Sequence, residues 1–327
     1  MRAVRATAQG GPEVLSQAEE PDPIPGRGEV LVRAAAAGVN FIDTYRRSGL
    51  YPASFPHVVG SEGAGVVVEV GPDVGDVVPG ARVAWASSVT GSYAELVVVD
   101  AAAAVPVPDP VDLEIAAALL LQGLTAHYLV DSTFPVQPGH VVLVHAGAGG
   151  VGLLLTQLAA ARGARVITTV STQQKAELSR AAGAAEVIRY DTLEDLPTSL
   201  PALVRELSPG GVHPVFDGVG RSTFDASLAC LRRRGGLALF GASSGPVPPV
   251  DPQRLNAAGS VYLTRPTLGD HIATREELVR RTTELFDAVA RGDLHVRVGA
   301  RYGLADAATA HRALEARATT GKVLLLP

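Results

Sequence analysis

One stretch, residues 141–152 (VVLVHAGAGGVG), restricts the fold of this chain more than any other. Val141, Val142, Leu143 and Val144 form a short β-branched run. Strands covered on both faces carry such continuous apolar runs. The run stops at a glycine cluster, and residues 153–162 then read as an apolar, alanine-rich helix. Between the two, Gly147, Gly149 and Gly152 satisfy G-x-G-x-x-G, in the strand–turn–helix context that a dinucleotide fingerprint requires. The first glycine permits the tight turn, the second lets the backbone approach a pyrophosphate, and the third lets the helix pack close to its strand. The N–H groups that open the helix, those of Gly150 and Val151 among them, are expected to hold phosphates at its positive end.

In a chain with 35 glycines the motif alone is equally well explained as a glycine-rich turn. Its surroundings decide. A second β-branched strand at 166–170 completes a βαβ unit of roughly 30 residues. Helices at 173–182, 193–207 and 222–231 then alternate with strands at 186–190, 212–217, 236–240 and 261–263. This is the six-strand pattern of a doubly wound parallel sheet. The chain before it is different: strands at 29–34, 65–70, 82–85 and 94–99 are separated by Pro25-Gly26, Gly71-Pro72, Pro79-Gly80 and Asp109-Pro110. Such spacing predicts a barrel-like β domain, followed by a helix at 113–121. After the sheet come an amphipathic helix at 275–291, a polar stretch, a helix at 305–316 and a strand at 322–326, a tail expected to rejoin the first domain. The expected organisation is therefore residues 1–122, 123–263 and 264–327.

A net charge of −5 without a local cluster of Lys and Arg argues against nucleic acid as a partner. No uninterrupted apolar run approaches a membrane span, so no membrane partner is expected. The N-terminal residues lack the apolar core of a signal peptide. A single cysteine, Cys230, excludes an intrachain disulfide and cysteine-rich zinc sites, and a cytoplasmic protein is expected. The eight histidines show no ligand pattern: His140 and His145 straddle a strand, and His57 stands alone.

The order of β domain, nucleotide fold and returning tail resembles the medium-chain dehydrogenase/reductase superfamily. Within it the chain is similar to the zinc-free NADPH:quinone reductases, the ζ-crystallin-like group. The resemblance is carried by AGVNFID (37–43), RSGLY (47–51), GSEGAG (60–65), LQGLTA (121–126), HAGAGGVG (145–152), FGASSG (240–245), LTRP (263–266) and RATTGK (317–322). It implies an α/β architecture: a GroES-like β-barrel-type catalytic domain plus a Rossmann domain. It also implies metal-free, NADPH-dependent reduction of quinones. Related alcohol dehydrogenases carry a cysteine near Asn40 and a His-Glu pair near Ser61-Glu62; here Asn and Ser-Glu stand instead, and no metal site is expected.

The residues themselves address the cofactor. An NAD site ends its second strand in Asp or Glu, whereas a basic residue suits a 2′-phosphate. Val170 is followed by Ser171-Thr172-Gln173-Gln174-Lys175, with no carboxylate. Lys175 reads either as a solvated first-turn lysine or as an anion contact. A cation near a helix N-terminus is unfavourable unless an anion sits there, which favours the second. By resemblance, Lys175 and Tyr190 bind the adenosine phosphate, with Arg317 as a third partner and Ser171 as a further cofactor contact. On the nicotinamide side the resemblance implies Asn40, Thr125, Gly218, Phe240, Gly241, Ser243, Ser244 and Leu263. Relatives often have Ser or Asn at the place of Gly218, so a side-chain hydrogen bond there must be lost or replaced by backbone. Arg265 is either a substrate or phosphate contact or an interdomain tie. Asn40, Tyr45 and Tyr51 are expected in the acceptor slot of an interdomain cleft; packing beneath the loop is the alternative for Tyr45.

A 2-enoyl or alkenal reductase on the same scaffold and a non-catalytic NADPH-binding protein are the rival readings. A homodimer through the edge strand near residues 259–263 is expected, because an open apolar edge is a liability that proteins cover or pair.

Overall fold

The computed structural model describes residues 1–327. Its first strands are β1 (Arg2–Ala6), β2 (Leu15–Glu19) and β3 (Glu29–Val39). Helix α1 (Phe41–Arg47) follows, then β4 (His57–Val58), β5 (Glu62–Val70), β6 (Arg82–Trp85), β7 (Leu96–Asp100) and β8 (Val105–Pro106). Helix α2 (Leu113–Tyr128) leads into β9 (Val141–Val144), α3 (Gly150–Ala161), β10 (Arg165–Val170), α4 (Gln173–Ala181) and β11 (Glu186–Arg189). Next come α5 (Leu196–Leu207), β12 (Val215–Asp217), α6 (Phe224–Cys230), β13 (Gly236–Leu239), α7 (Gln253–Ala257), β14 (Tyr262–Thr264) and α8 (Leu268–His271). The chain ends with α9 (Arg275–Ala290), β15 (Val298–Gly303), α10 (Ala307–Glu315) and β16 (Lys322–Leu326).

Two compact units result: residues 1–124 with 273–327, and residues 125–272. The second unit thus extends beyond the junction expected at residue 263. Its end is tied to its beginning by the Tyr128 and His271 rings, stacked with centroids 4.2 Å apart.

In the second unit all six strands are parallel, in the order β11-β10-β9-β12-β13-β14. This is the doubly wound order, and it reverses between β9 and β12, where such sheets bind ligands outside their carboxyl ends. Helices cover both faces of such a sheet, so its strands are apolar throughout. Val142, Leu143, Val144, Ile167, Val215, Phe216 and Leu237 are accordingly fully buried.

The first unit holds a small sheet, β2-β1-β4, and a larger one in the order β15-β16-β3-β5-β6-β8, with β7 on the other side of β3. Strand β3 departs twice from regular register against β5, at Leu31/Val32 and Ala34/Ala36. Such irregularities bend a strand, which lets β3 pair with β7 at one end and with β16 at the other. Trp85, Val32, Val67 and Val97 build one core, and Val4, Val39, Tyr93, Val323 and Leu325 another. The last strand, β16, pairs with β3 and sets Val323 opposite Val39.

Other expectations are corrected. The tail's polar stretch contains β15, whose alternating half-buried and exposed residues give a weak apolar signal at a sheet edge. Strands β1 and β2 were not expected, because each is short and charged. Residues 113–133 do have the length and mean hydropathy, 1.4, of a membrane span, against the expectation of none. Counting only uninterrupted apolar residues missed this, since Gln122, Thr125 and His127 break the run without lowering its mean enough. Of that window 72% is buried within the protein, which makes it a core helix.

Candidate active site

The fingerprint turn is held by close backbone approach. Ala146 adopts a left-handed φ of 54° at the end of β9, and the Gly147 N–H donates to the Thr169 carbonyl at 3.0 Å. A Cβ on Gly147 would lie 2.6 Å from Thr168 Cβ, and one on Gly152 only 2.2 Å from the Ala146 oxygen. Packing therefore demands both glycines. Gly149 differs: a Cβ there would meet nothing nearer than the Ala146 oxygen at 3.2 Å. The space beside it is open, as a phosphate approaching the backbone requires. Helix α3 begins at Gly150 with no side-chain cap and no acidic residue in its first turn. The leading N–H groups, including those of Gly150 and Val151, have no preceding helical carbonyl, so this end attracts anions.

Along the neighbouring strand the adenosine-phosphate candidates come together. Thr172 caps α4 by accepting from the Lys175 N–H at 3.2 Å, and the Lys175 ammonium donates to Ser171 Oγ at 3.3 Å. Val170 lies opposite Arg189 in the sheet, so Ser171 and Tyr190 leave it side by side. No acidic residue stands in the first turn of α4. Arg189 was not expected here; its side chain binds Asp191 at 2.7 Å. Arg317 belongs to the first unit, where it follows α10 with a left-handed φ of 57°.

The loops after β12 and β13 are zipped through their backbones. Ser243 N–H donates to the Gly218 carbonyl at 3.3 Å, and Ser244 N–H to that of Val219 at 2.8 Å. A Cβ on Gly218 would lie 2.8 Å from the Phe240 ring, and one on Gly241 2.4 Å from the Gly218 oxygen. A side chain at Gly218 would therefore have to displace the Phe240 ring. Thr125 is buried, Leu263 lies in β14, and Arg265 donates to the Pro266 carbonyl at 3.3 Å.

Beneath these turns lies a network absent from the sequence reading. The buried Asp217 carboxylate accepts the Val219 N–H at 2.8 Å, the Gly220 N–H at 3.0 Å, and the Thr223 and Ser227 hydroxyls, each at 2.7 Å. His145 Nε2–H donates to Ser227 Oγ at 2.9 Å, and His145 Nδ1 accepts from Thr169 Oγ1 at 2.9 Å. Burial holds the His145 pKa below its ordinary value, in keeping with a neutral imidazole. The ends of β9, β10 and β12 are thereby locked together. Only the position of Asp217 at a strand end hinted at this role.

In the first unit, α1 starts at Asn40, whose N–H donates to Asp43 Oδ2 at 2.9 Å. The Asn40 amide is saturated. Its Nδ2 donates to Glu62 Oε1 at 2.6 Å and the Gly38 carbonyl at 3.3 Å, while Oδ1 accepts from Lys322 Nζ at 2.8 Å and Gln122 Nε2 at 3.3 Å. Asn40 thus ties Glu62, Gln122 and Lys322 together. Glu62 also pairs with Lys322 and accepts the Leu121 N–H at 2.7 Å. Both charged side chains are buried, and burial pulls the Lys322 ammonium below the usual lysine range. Tyr45 is largely buried, its ring edge-on to Tyr51 at 5.3 Å, and Tyr51 is partly exposed.

These residues do not fit a zinc ion. The Lys322 cation already neutralises Glu62, the Asn40 amide is used up, and Cys230 lies in the other unit, its thiol pushed up to about 12 by burial.

Family profiles match two parts of the chain, "Zinc-binding dehydrogenase" over residues 150–284 and "Alcohol dehydrogenase GroES-like domain" over 26–109. A quinone oxidoreductase of Pseudomonas aeruginosa is 45% identical over 328 residues, covering 100% of this chain and 99% of the relative. A mycobacterial structure complexed with NADPH is 57% identical, covers 100% of both chains and superposes with a TM-score of 0.97. A 2-haloacrylate reductase of a Burkholderia species is 40% identical, over 98% of this chain and 97% of its own.

A second buried chain beside Asn40 gives the site a pH signature. The Arg47 guanidinium can only donate, so it fixes His311 Nδ1 as an acceptor at 2.9 Å. His311 Nε2–H then donates to Tyr93 Oη at 3.0 Å, and the Tyr93 hydroxyl to Asp43 at 3.1 Å. Burial, reinforced by Arg47, lowers the His311 pKa from 6.5 to about 3. The unfolded state therefore binds its proton first, and the stability contributed by neutral His311 is complete above about pH 6.5 and lost as pH falls toward 3. His311→Gln should flatten the acid limb of stability between those limits, measured by urea unfolding at a series of pH values. An unchanged slope would contradict a neutral buried imidazole.

Proposed function

Because this chain belongs to the quinone oxidoreductase family of medium-chain dehydrogenases/reductases, we infer that it is an enzyme that reduces quinones with NADPH. The observation that carries the reading is the pairing of an open, anion-attracting glycine turn with a carboxylate-free second strand end bearing Ser171 and Lys175. NADPH, when bound, supplies the reducing equivalents. The chain's own groups bind and orient: the α3 N-terminus takes the pyrophosphate, and Lys175, Ser171 and Tyr190 take the 2′-phosphate. The backbone-zipped loops at Gly218 and at Phe240 to Ser244 form the nicotinamide end. Tyr51, held by Tyr45 through a ring contact and a backbone hydrogen bond, orients the acceptor oxygen. No buried carboxylate remains unpartnered here to serve as an obligatory acid, which fits acceptors that take electrons without a positioned proton donor.

A charge-assisted bond from Lys175 to the 2′-phosphate is worth about 1.5–3 kcal/mol. Lys175→Ala should therefore raise the apparent constant for NADPH by about 10- to 150-fold and leave that for NADH nearly unchanged. Equal losses in steady-state kinetics would show that Lys175 does not read the phosphate.

Tyr51→Phe should lower quinone turnover about 10- to 100-fold while a fluorescence titration still reports normal NADPH binding, since orientation and charge stabilisation are lost without an essential acid. Its melting temperature should hold. Asn40→Ala should lower both turnover and melting temperature, because Lys322 and Glu62 lose a partner. Full activity in both variants would remove the acceptor assignment. The 2-haloacrylate reductase relative favours a second reading, reduction of an activated carbon–carbon double bond. Turnover of an enone panel above that of quinones would make it the primary activity.

Strand β14 pairs only with β13, and Tyr262 on it is 60% exposed. Two copies pairing along this edge would satisfy it. Light scattering at micromolar concentration should give a dimer, and a monomer would refute the assignment. The buried lone cysteine suits a reducing cytoplasm, where cell fractionation should find the protein.

A further inference from the structure

The second unit has a concavity at the opposite end of its sheet from the glycine turn. It is lined by the segments that precede β12, β13 and β14, at the amino ends of those strands, and measures about 1370 Å³. Arg205, Arg232, Arg233, Arg234, Asn256 and Ser260 supply its polar lining, and no carboxylate lines it. Arg205 donates to the Ala229 carbonyl at 2.7 Å. The three consecutive arginines are exposed and make no ion pair.

Cations gathered in a concavity repel one another, and the concavity focuses their potential. The backbone adds a second observation. Arg234 and Ser260 both hold left-handed φ values, 56° and 55°, where glycine would cost nothing. Their turns are locked to each other, Arg234 N–H donating to the Gly259 carbonyl at 2.9 Å and Tyr262 N–H to that of Gly235 at 2.8 Å. An arginine kept in a conformation that disfavours it, among like charges and without a counter-ion, marks a place where strain is retained for binding.

We propose that this concavity is a second ligand site, independent of the cofactor cradle, for a compact polyanion carrying two or more phosphate groups. Guanidinium forks match phosphate oxygens bidentately. Exposed charges are screened by salt, so a single phosphate would be held weakly, whereas several phosphates can engage several forks at once. The Asn256 side chain can add a neutral hydrogen bond, while Ser260 and Tyr262 form the rim on the edge proposed above to pair with a second copy. The acidic chain as a whole selects a small polyanion over a nucleic-acid strand.

Inorganic tripolyphosphate is the probe. With the enzyme saturated in NADPH, so that the glycine turn is filled, calorimetry at 0.15 M salt should show saturable binding of one tripolyphosphate per chain. The triple variant Arg232→Ser, Arg233→Ser, Arg234→Gly should weaken it at least 10-fold, with NADPH affinity and basal quinone turnover unchanged. Arg234→Gly alone should raise the melting temperature, by relieving the left-handed arginine, while lowering the affinity for tripolyphosphate. Absence of saturable binding, equal binding by the triple variant, or displacement of tripolyphosphate by further NADPH would overturn the proposal.

Discussion

The buried ion pair of Lys322 and Glu62 is the interaction on which the first unit's site depends. Removing two charges from water costs several kcal/mol per ion, and their attraction offsets this only when the remaining donors and acceptors are also matched. The structure matches them. Asn40 bonds both ions, Leu121 N–H supplies the second carboxylate oxygen, and Gly38 leaves the room, since a Cβ there would lie 2.4 Å from Glu62 Oε1. Strands β3, β5 and β16 and the start of α1 are thereby tied to one point. Loss of either ion would leave the other buried and unpaired, at a typical cost of about 3–5 kcal/mol.

The second unit uses the same device with neutral partners. Asp217 at the end of β12 gathers two backbone N–H groups and two hydroxyls, and His145 at the end of β9 is drawn in through Ser227. In each unit a fully satisfied carboxylate at a strand terminus ties neighbouring loops together. Networks of this kind rigidify a site because any missing partner is costly in a low-dielectric interior.

The zinc question shows how such a centre changes chemistry. Where related dehydrogenases place metal ligands, this chain has Asn40 and Ser61-Glu62, and an ammonium carried by the last strand supplies the positive charge. A cation fixed by the covalent chain organises the same loops but offers no open coordination position.

Local patterns in the sequence determined the strand–turn–helix at residues 141–152, the parallel alternation after it and the carboxylate-free end of β10, because each depends on neighbours in the chain. The same reasoning placed β16 at its true limits, as a continuous apolar run is legible without knowing its partners. Tertiary structure alone decided what Asn40 does, since its amide is claimed by residues 62, 122 and 322. It likewise decided that Gly218 is required by the Phe240 ring, and that His145 and Asp217 share one network. Strands β2 and β15 were illegible because half-exposed edge strands carry little apolar periodicity, and the central β1 because two of its five residues are arginines. Lys322 sits in an apolar run as a single charged residue, and only the fold shows that it closes the buried centre of the first unit.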